Sequence, residues 1–302
     1  RERVRIRSER RAAREQKRAE RRKKKENKVQ REMVGQEVDY LSNERRDPPR
    51  ERIETAHLRQ LPDFIIIGTQ RGGTTSLYRY LTEHPDVGAA FRKEVHFFDR
   101  YYEKGMDWYL AHFPVRGEFP VVGEASPYYL LHPEAPERAR KAVPHARFIV
   151  LLRNPVDRAY SQYHMKVKRG VEPLPFEDAI DKERERLGST DDPVSLAWRH
   201  YSYVERSLYV DQLRRWMNVF PREQFLILKS EDLYEDPQRI LHQTQEYLGL
   251  RPWSLPGYEA YNLKEYADID PATRRRLVDY FAPHNQQLYA LLGRDLGWEH
   301  ER

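Results

Sequence analysis

Four short apolar runs punctuate a polar chain: Asp63–Gly68 (DFIIIG), Phe119–Ser126 (FPVVGEAS), His145–Arg153 (HARFIVLLR) and Glu223–Ser230 (EQFLILKS). Their apolar residues are consecutive rather than alternating, the pattern of strands covered on both faces, as in a parallel sheet. Between them lies the wider spacing of helices. One helix is expected from about Thr74, and Asn154–Lys168 reads as another. Ser207–Phe220 is amphipathic, with Leu208, Leu213, Trp216 and Phe220 near one face. Asp236–Leu250 has Asp236 near its start and Gly249 at its end. Asp270–Gly293 reads as a last helical stretch interrupted by Pro283. Alternating strands and helices predict an α/β fold of three layers, a central parallel sheet flanked by helices. Sites in such sheets gather at the carboxyl ends of the strands, and the glycine-rich turn after Gly68 and Arg153 both occupy strand ends.

Charge changes the picture at one end only. The 302 residues carry +6, but residues 1–31 hold 16 Lys+Arg against 5 Asp+Glu, and residues 32–302 hold 38 against 43. The basicity therefore belongs to a low-complexity, helix-forming N-terminal extension, and the remainder is mildly acidic. Val4, Ile6, Val29 and Val34 make no sustained stripe, which argues against a membrane-surface helix. The extension reads as a solvated helical tail, with a polyanion-binding arm as the alternative. Arg45–Arg52 contains adjacent prolines and reads as a linker, so the chain divides into an extension and linker at 1–57 and a domain at 58–302. There is no cysteine, which excludes disulfides, thiolate metal sites and cysteine nucleophiles. No apolar run approaches the roughly 20 residues of a membrane span, and no signal-peptide pattern is present. The chain begins with Arg1 rather than Met, so it is expected to be part of a longer protein.

Three groups of residues carry candidate chemistry. Gly68, Gly73 and Thr75 fall where the phosphate loop G-x-x-x-x-G-K-[ST] places two glycines and a hydroxyl, but Thr74 stands in the lysine slot and the nearest cation is Arg71. A glycine turn entering a helix presents free N–H groups and a positive dipole end to an anion. Gln70, Gly72, Gly73, Thr74, Thr75 and Ser76 make such a cradle, while the missing lysine argues against a nucleoside triphosphate. Arg153 at a strand end and Ser161 on the next helix could hold a second phosphate, or Arg153 could simply pair with Asp157. In Arg92–Asp99 (RKEVHFFD), Glu94 and His96 would share one face of an extended segment, offering a general base whose pKa burial would raise. The histidines show no spacing that supports a metal site.

Taken together, FIIIGTQRGGTTSLYRYL, KEVHFFD, GEASPYYL and RFIVLLRNPVDRAYSQYH resemble the sulfotransferases that use 3′-phosphoadenosine 5′-phosphosulfate (PAPS). The likeness is greatest to the heparan sulfate N- and 3-O-sulfotransferase branch and its bacterial relatives, and spans about Pro62 to Trp298. The resemblance implies a P-loop-like α/β domain and a donor with two anionic ends, needing no metal. It assigns Gln70–Ser76 to the 5′-phosphosulfate, with Arg71 in place of a lysine that stabilises the leaving oxygen. It assigns Arg153 and Ser161 to the 3′-phosphate, Glu94 to the base, and His96 to the acceptor site. Lys264 is the candidate for a late donor contact. The acceptor would be a hydroxyl or amine of a glycan or small molecule. Ala125 stands where the heparan sulfate enzymes carry a lysine, and their late disulfide loop has no counterpart, which favours a cytoplasmic, bacterial-type enzyme. Two alternatives remain: a P-loop nucleotide kinase, and a polyanion- or nucleic-acid-binding protein working through the tail.

Overall fold

The computed structural model describes residues 47–188, 195–259 and 267–299. The basic extension and Lys264 lie outside the described residues. Five parallel strands form one sheet in the order β2-β3-β1-β4-β5: β1 Phe64–Gly68, β2 Val87–Ala89, β3 Val121–Ala125, β4 Arg147–Leu152 and β5 Phe225–Lys229. Among the described residues, six helices reach eight residues: α1 Thr74–Thr82, α2 Ala135–Ala142, α3 Pro155–Lys168, α4 Tyr209–Met217, α5 Pro237–Leu248 and α6 Pro271–Leu292.

The consecutive apolar runs divide themselves between two cores. Along β1, Ile65 and Ile67 face one cluster while Phe64 and Ile66 face the other; along β4, Phe148, Val150 and Leu152 oppose Ile149 and Leu151. The first cluster contains Leu213, Trp216 and Phe220 of the α4 region, and the second Leu77 and Leu81 of α1 with Ile240 and Leu241 of α5. Period-two alternation in a strand covered on both sides thus produces the three layers.

Local details follow their chemistry. Asn154 caps α3 by accepting from Val156 N, Asp236 caps α5 by accepting from Arg239 N, and Gly249 ends α5 in the left-handed region. Three expectations need correction. Leu208 leaves the α4 face and packs instead beside Val156, Phe176 and Phe281. Pro283 does not interrupt the last helix, which runs unbroken through Leu292. Pro283 and Asp279, whose carbonyl loses its partner, are both exposed, while Leu277, Phe281, Leu288 and Tyr289 anchor the buried side on either side of the proline. The edge strand β2 was not anticipated: it has only three residues, and Gly88 lies under Phe119 and Pro114 with no room for a side chain.

Residues 50–57, placed with the extension by sequence, form a helical turn at Arg50–Glu54 and most of another at Ala56–Leu58. Arg52 donates to the carbonyls of Ala111 (2.6 Å) and Phe113 (2.8 Å), so this segment is docked on its neighbours. Among the described residues no helix is long and apolar enough to cross a membrane.

Candidate active site

The glycine turn leaves the carboxyl end of β1 and enters α1 at Thr74, with Gly73 as N-cap at φ 87°. It is clamped from below: Thr69 N and Thr69 Oγ1 both donate to Leu151 O, Gly72 N donates to Thr69 O, and Ser230 Oγ donates to Gly72 O. A Cβ on Gly72 would come within 2.7 Å of Leu151 O and 2.6 Å of Thr69 Oγ1, so only glycine lets the turn lie this close to the sheet. Thr74 and Ser76 are buried, while Gln70, Arg71 and Thr75 are partly exposed.

The loop cation and the proposed second phosphate pair meet. Arg71 Nε donates to Ser161 Oγ at 2.9 Å, and Arg153 Nη1 donates to Arg71 O at 3.2 Å. Asp157, the alternative partner for Arg153, is instead paired with Arg274. Two guanidinium groups, a hydroxyl and a helix N-terminus therefore gather over the ends of β1 and β4, a donor set suited to anions.

The second centre hangs from β3, the neighbour of β1. Glu94 N donates to Ala125 O, His96 N to Ser126 Oγ, and Phe97 N to the hydroxyl of Tyr129. The GEASPYY segment thus serves as the frame for KEVHFFD. His96 lies between two carboxylates, its Nε2 3.2 Å from Glu94 Oε2 and its Nδ1 2.8 Å from Asp99 Oδ2. Glu94 and His96 do meet, but not through an extended segment: their φ angles are 61° and 56°. Arg71, at 73°, is the third described non-glycine residue with positive φ, and all three are candidate site residues. Conformations this unfavourable persist where the surroundings over-determine them.

Asp99 was not picked out by sequence as a site residue. It is brought in because Phe97–Tyr101 forms a wide π-type turn, with Tyr101 N bonded back to His96 O, five residues earlier. A carboxylate three residues after the histidine of a candidate base pair was the available signal.

The electrostatics also differ from expectation. Burial acts to raise the pKa of Glu94, but the bond from His96 and the adjacent Lys93 ammonium, at 3.2 Å, outweigh it and hold the carboxyl below its usual range. Burial alone would deprotonate His96; the Asp99 carboxylate and Glu94 reverse that and raise its pKa, while Asp99 is lowered in turn by His96 and Arg100. These shifts favour an imidazolium between two carboxylates. Beneath it, fully buried Glu124 accepts from Tyr109 (2.8 Å), Ser126 (2.7 Å) and Tyr129 (3.2 Å), and burial, only partly offset by these bonds, raises its pKa to about 7.

Residues 61–255 match the family described as "Sulfotransferase domain". Human heparan sulfate glucosamine 3-O-sulfotransferase 6 is 32% identical over 264 residues, covering 80% of this chain and 74% of its own. The membrane-associated sulfotransferase kil1 of Dictyostelium discoideum is 27% identical over 314 residues, covering 79% and 67%. The crystal structure of a sulfotransferase from Alicyclobacillus acidocaldarius superimposes with a TM-score of 0.70 at 33% identity, covering 80% of this chain and all of that one.

Proposed function

The chain belongs to the sulfotransferase domain family, on the branch of the heparan sulfate 3-O-sulfotransferases and their bacterial relatives, and is an enzyme of sulfuryl transfer; from that premise we propose that its donor is PAPS and that Glu94 is the base that deprotonates the acceptor. The observation that carries this reading is the placement of a glycine loop beside Arg71, Arg153 and Ser161, and of the Glu94–His96–Asp99 array, on neighbouring strands, β1 and β3, at one end of the sheet. A kinase reading lacks the loop lysine and gives way to the family assignment.

The donor has a phosphosulfate at one end and a 3′-phosphate at the other. The loop Gln70–Ser76 and the N-terminus of α1 receive the first, Arg153 and Ser161 the second. Arg71, joined to Ser161 through Nε, serves both positions from the middle. As the acceptor oxygen or nitrogen bonds to sulfur, the bond from sulfur to the bridging phosphate oxygen breaks and its electron pair leaves with the phosphate. The acceptor's proton passes to Glu94, which is ionised in the resting site, and Arg71 offsets charge on the departing phosphate. His96, bonded to both carboxylates, holds Glu94 in place at the acceptor site, and Asp99 acts through His96.

The acceptor is a hydroxyl or amine. A glycan is supported by the 3-O-sulfotransferase relatives, whereas Ala125 is fully buried and supplies no cation to meet an acidic one. A screen of candidate acceptors with radiolabelled PAPS identifies the class. The reading includes a cytoplasmic location, supported by the cysteine-free sequence; recovery of the protein with the membrane fraction of its cells would overturn that part.

Glu94→Gln tests the base assignment. Turnover should fall by about 100-fold or more, the usual contribution of a general base, with unchanged affinity for adenosine 3′,5′-bisphosphate (PAP) by calorimetry. Undiminished turnover would sink the assignment.

A further inference from the structure

Arg206 lies 136 residues from Gln70 in sequence, in the short turn Glu205–Ser207 before α4, yet its Nη1 donates to Gln70 Oε1 in the glycine loop. It is 4% exposed. Its Nη2 donates to Trp198 O (2.8 Å) and Ser202 Oγ (2.9 Å), its Nε to Ser202 Oγ (3.2 Å), and the guanidinium stacks 4.8 Å from the centre of the Tyr128 ring. Every one of these acceptors is uncharged.

Two consequences follow from elementary chemistry. A guanidinium has five donors and no acceptor, so the amide facing it must present its oxygen. That settles the orientation of Gln70: Oε1 is turned to Arg206, and Nε2 is turned away as a donor. Further, among the described residues the hydrogen bonds of this buried cation all go to neutral groups and Glu183 acts on it only through space, so no directly bonded counter-ion neutralises its charge in a low-dielectric setting beside the glycine loop.

We propose that Arg206 is a positioning residue for the sulfuryl donor. It holds the Gln70 amide with Nε2 directed to the phosphosulfate, and it sets a buried positive charge behind the loop that the bound donor neutralises. The inference rests on PAPS being the donor. It differs from a purely structural role, in which Arg206 only ties the Leu196–Tyr201 helix to the loop.

The test is a double-mutant cycle read by calorimetric titration with PAP, alongside melting temperature and the separate KM values for PAPS and acceptor. Arg206→Met should weaken PAP binding about tenfold and raise KM for PAPS while leaving KM for the acceptor unchanged. Gln70→Ala, which keeps the buried charge, should lose less than Arg206→Met, and the double variant little more than Arg206→Met, because the contact is already gone. Arg206→Lys, which keeps the charge but cannot span all three partners, should fall between Arg206→Met and wild type. Gln70→Glu guards against misfolding: its carboxylate pairs with Arg206, so melting temperature should hold while PAP affinity falls below that of Gln70→Ala. Losses that multiply in the double variant, or Gln70→Glu binding PAP as wild type does, would overturn the proposal while leaving PAPS as donor. A wild-type protein that binds no PAP would overturn both.

Discussion

Replacing Asp99 by Asn probes how the proposed base, Glu94, is held, because the substitution keeps shape and removes one charge. His96 and Asp99 have side chains only 4% and 1% exposed, with Nδ1 2.8 Å from Oδ2. A hydrogen bond between charged groups contributes about 1.5–3 kcal/mol, and about 1.4 kcal/mol corresponds to tenfold. Without the carboxylate, His96 loses its largest support for a charge and burial pushes its pKa down, toward the neutral imidazole. The substituted amide can turn its NH2 to Nδ1, so a neutral imidazole keeps its proton on Nε2 facing Glu94 Oε2 at 3.2 Å, but the contact is no longer one between opposite charges. Turnover should fall about 10- to 100-fold, with PAP affinity unchanged, since Asp99 touches no part of the donor site. The pH profile carries the sharper signature. Glu94 is held below its usual range by His96 and Lys93, so the wild-type rate should persist as pH falls through the ordinary carboxylate region. In Asp99→Asn the carboxyl loses most of that support and protonates at higher pH, moving the acid limb upward. Initial rates with PAPS across pH 4–8 measure both effects. Full activity with an unmoved acid limb would refute the relay from Asp99 through His96 to Glu94.

Gly72→Ala drives a methyl group within 2.7 Å of Leu151 O, so the loop must lift from the sheet and PAP affinity should drop by about tenfold or more in calorimetry; unchanged affinity would mean the loop does not seat the donor. Arg153→Ala removes a guanidinium beside Arg71 and Ser161 and should weaken PAP by about 10- to 100-fold, while adenosine 5′-phosphate, lacking the 3′-phosphate, should lose little. Equal losses for both ligands would refute the 3′-phosphate site. Glu124→Gln addresses stability: with a folded pKa of about 7 against an ordinary 4.5, the folded chain keeps a proton that the unfolded chain releases between those values. Stability is therefore full below pH 4.5 and declines as pH rises toward 7. The variant should show a shallower decline in melting temperature across that window, with a residual slope from Glu183, whose pKa burial also raises to about 7.

The sheet was legible because consecutive apolar residues such as Phe64–Ile67 and Phe148–Leu152 have one physical use, a strand buried on both faces. The glycine loop was legible for a similar reason: Gly72 and Gly73 answer local backbone demands, a close approach to Leu151 and a left-handed N-cap. Strand β2 was hidden because three residues carry no period, and the uninterrupted α6 because packing on its buried side outweighed one lost backbone bond. For Glu94 and His96 the sequence expected the two side chains to meet through an extended segment, where they meet through two left-handed residues pinned by Ala125 and Ser126.

The residues that govern charge in the site were decided only by tertiary structure. Asp99 reaches His96 through a turn that local propensity does not announce, Arg71 meets Ser161 across 90 residues, and Arg206 meets Gln70 across 136. Periodicity and glycine placement are properties of neighbours along the chain, so they can be read from it. Which donor faces which acceptor, and whether burial or a partner's charge determines a pKa, depends on groups that folding alone brings within 3 Å.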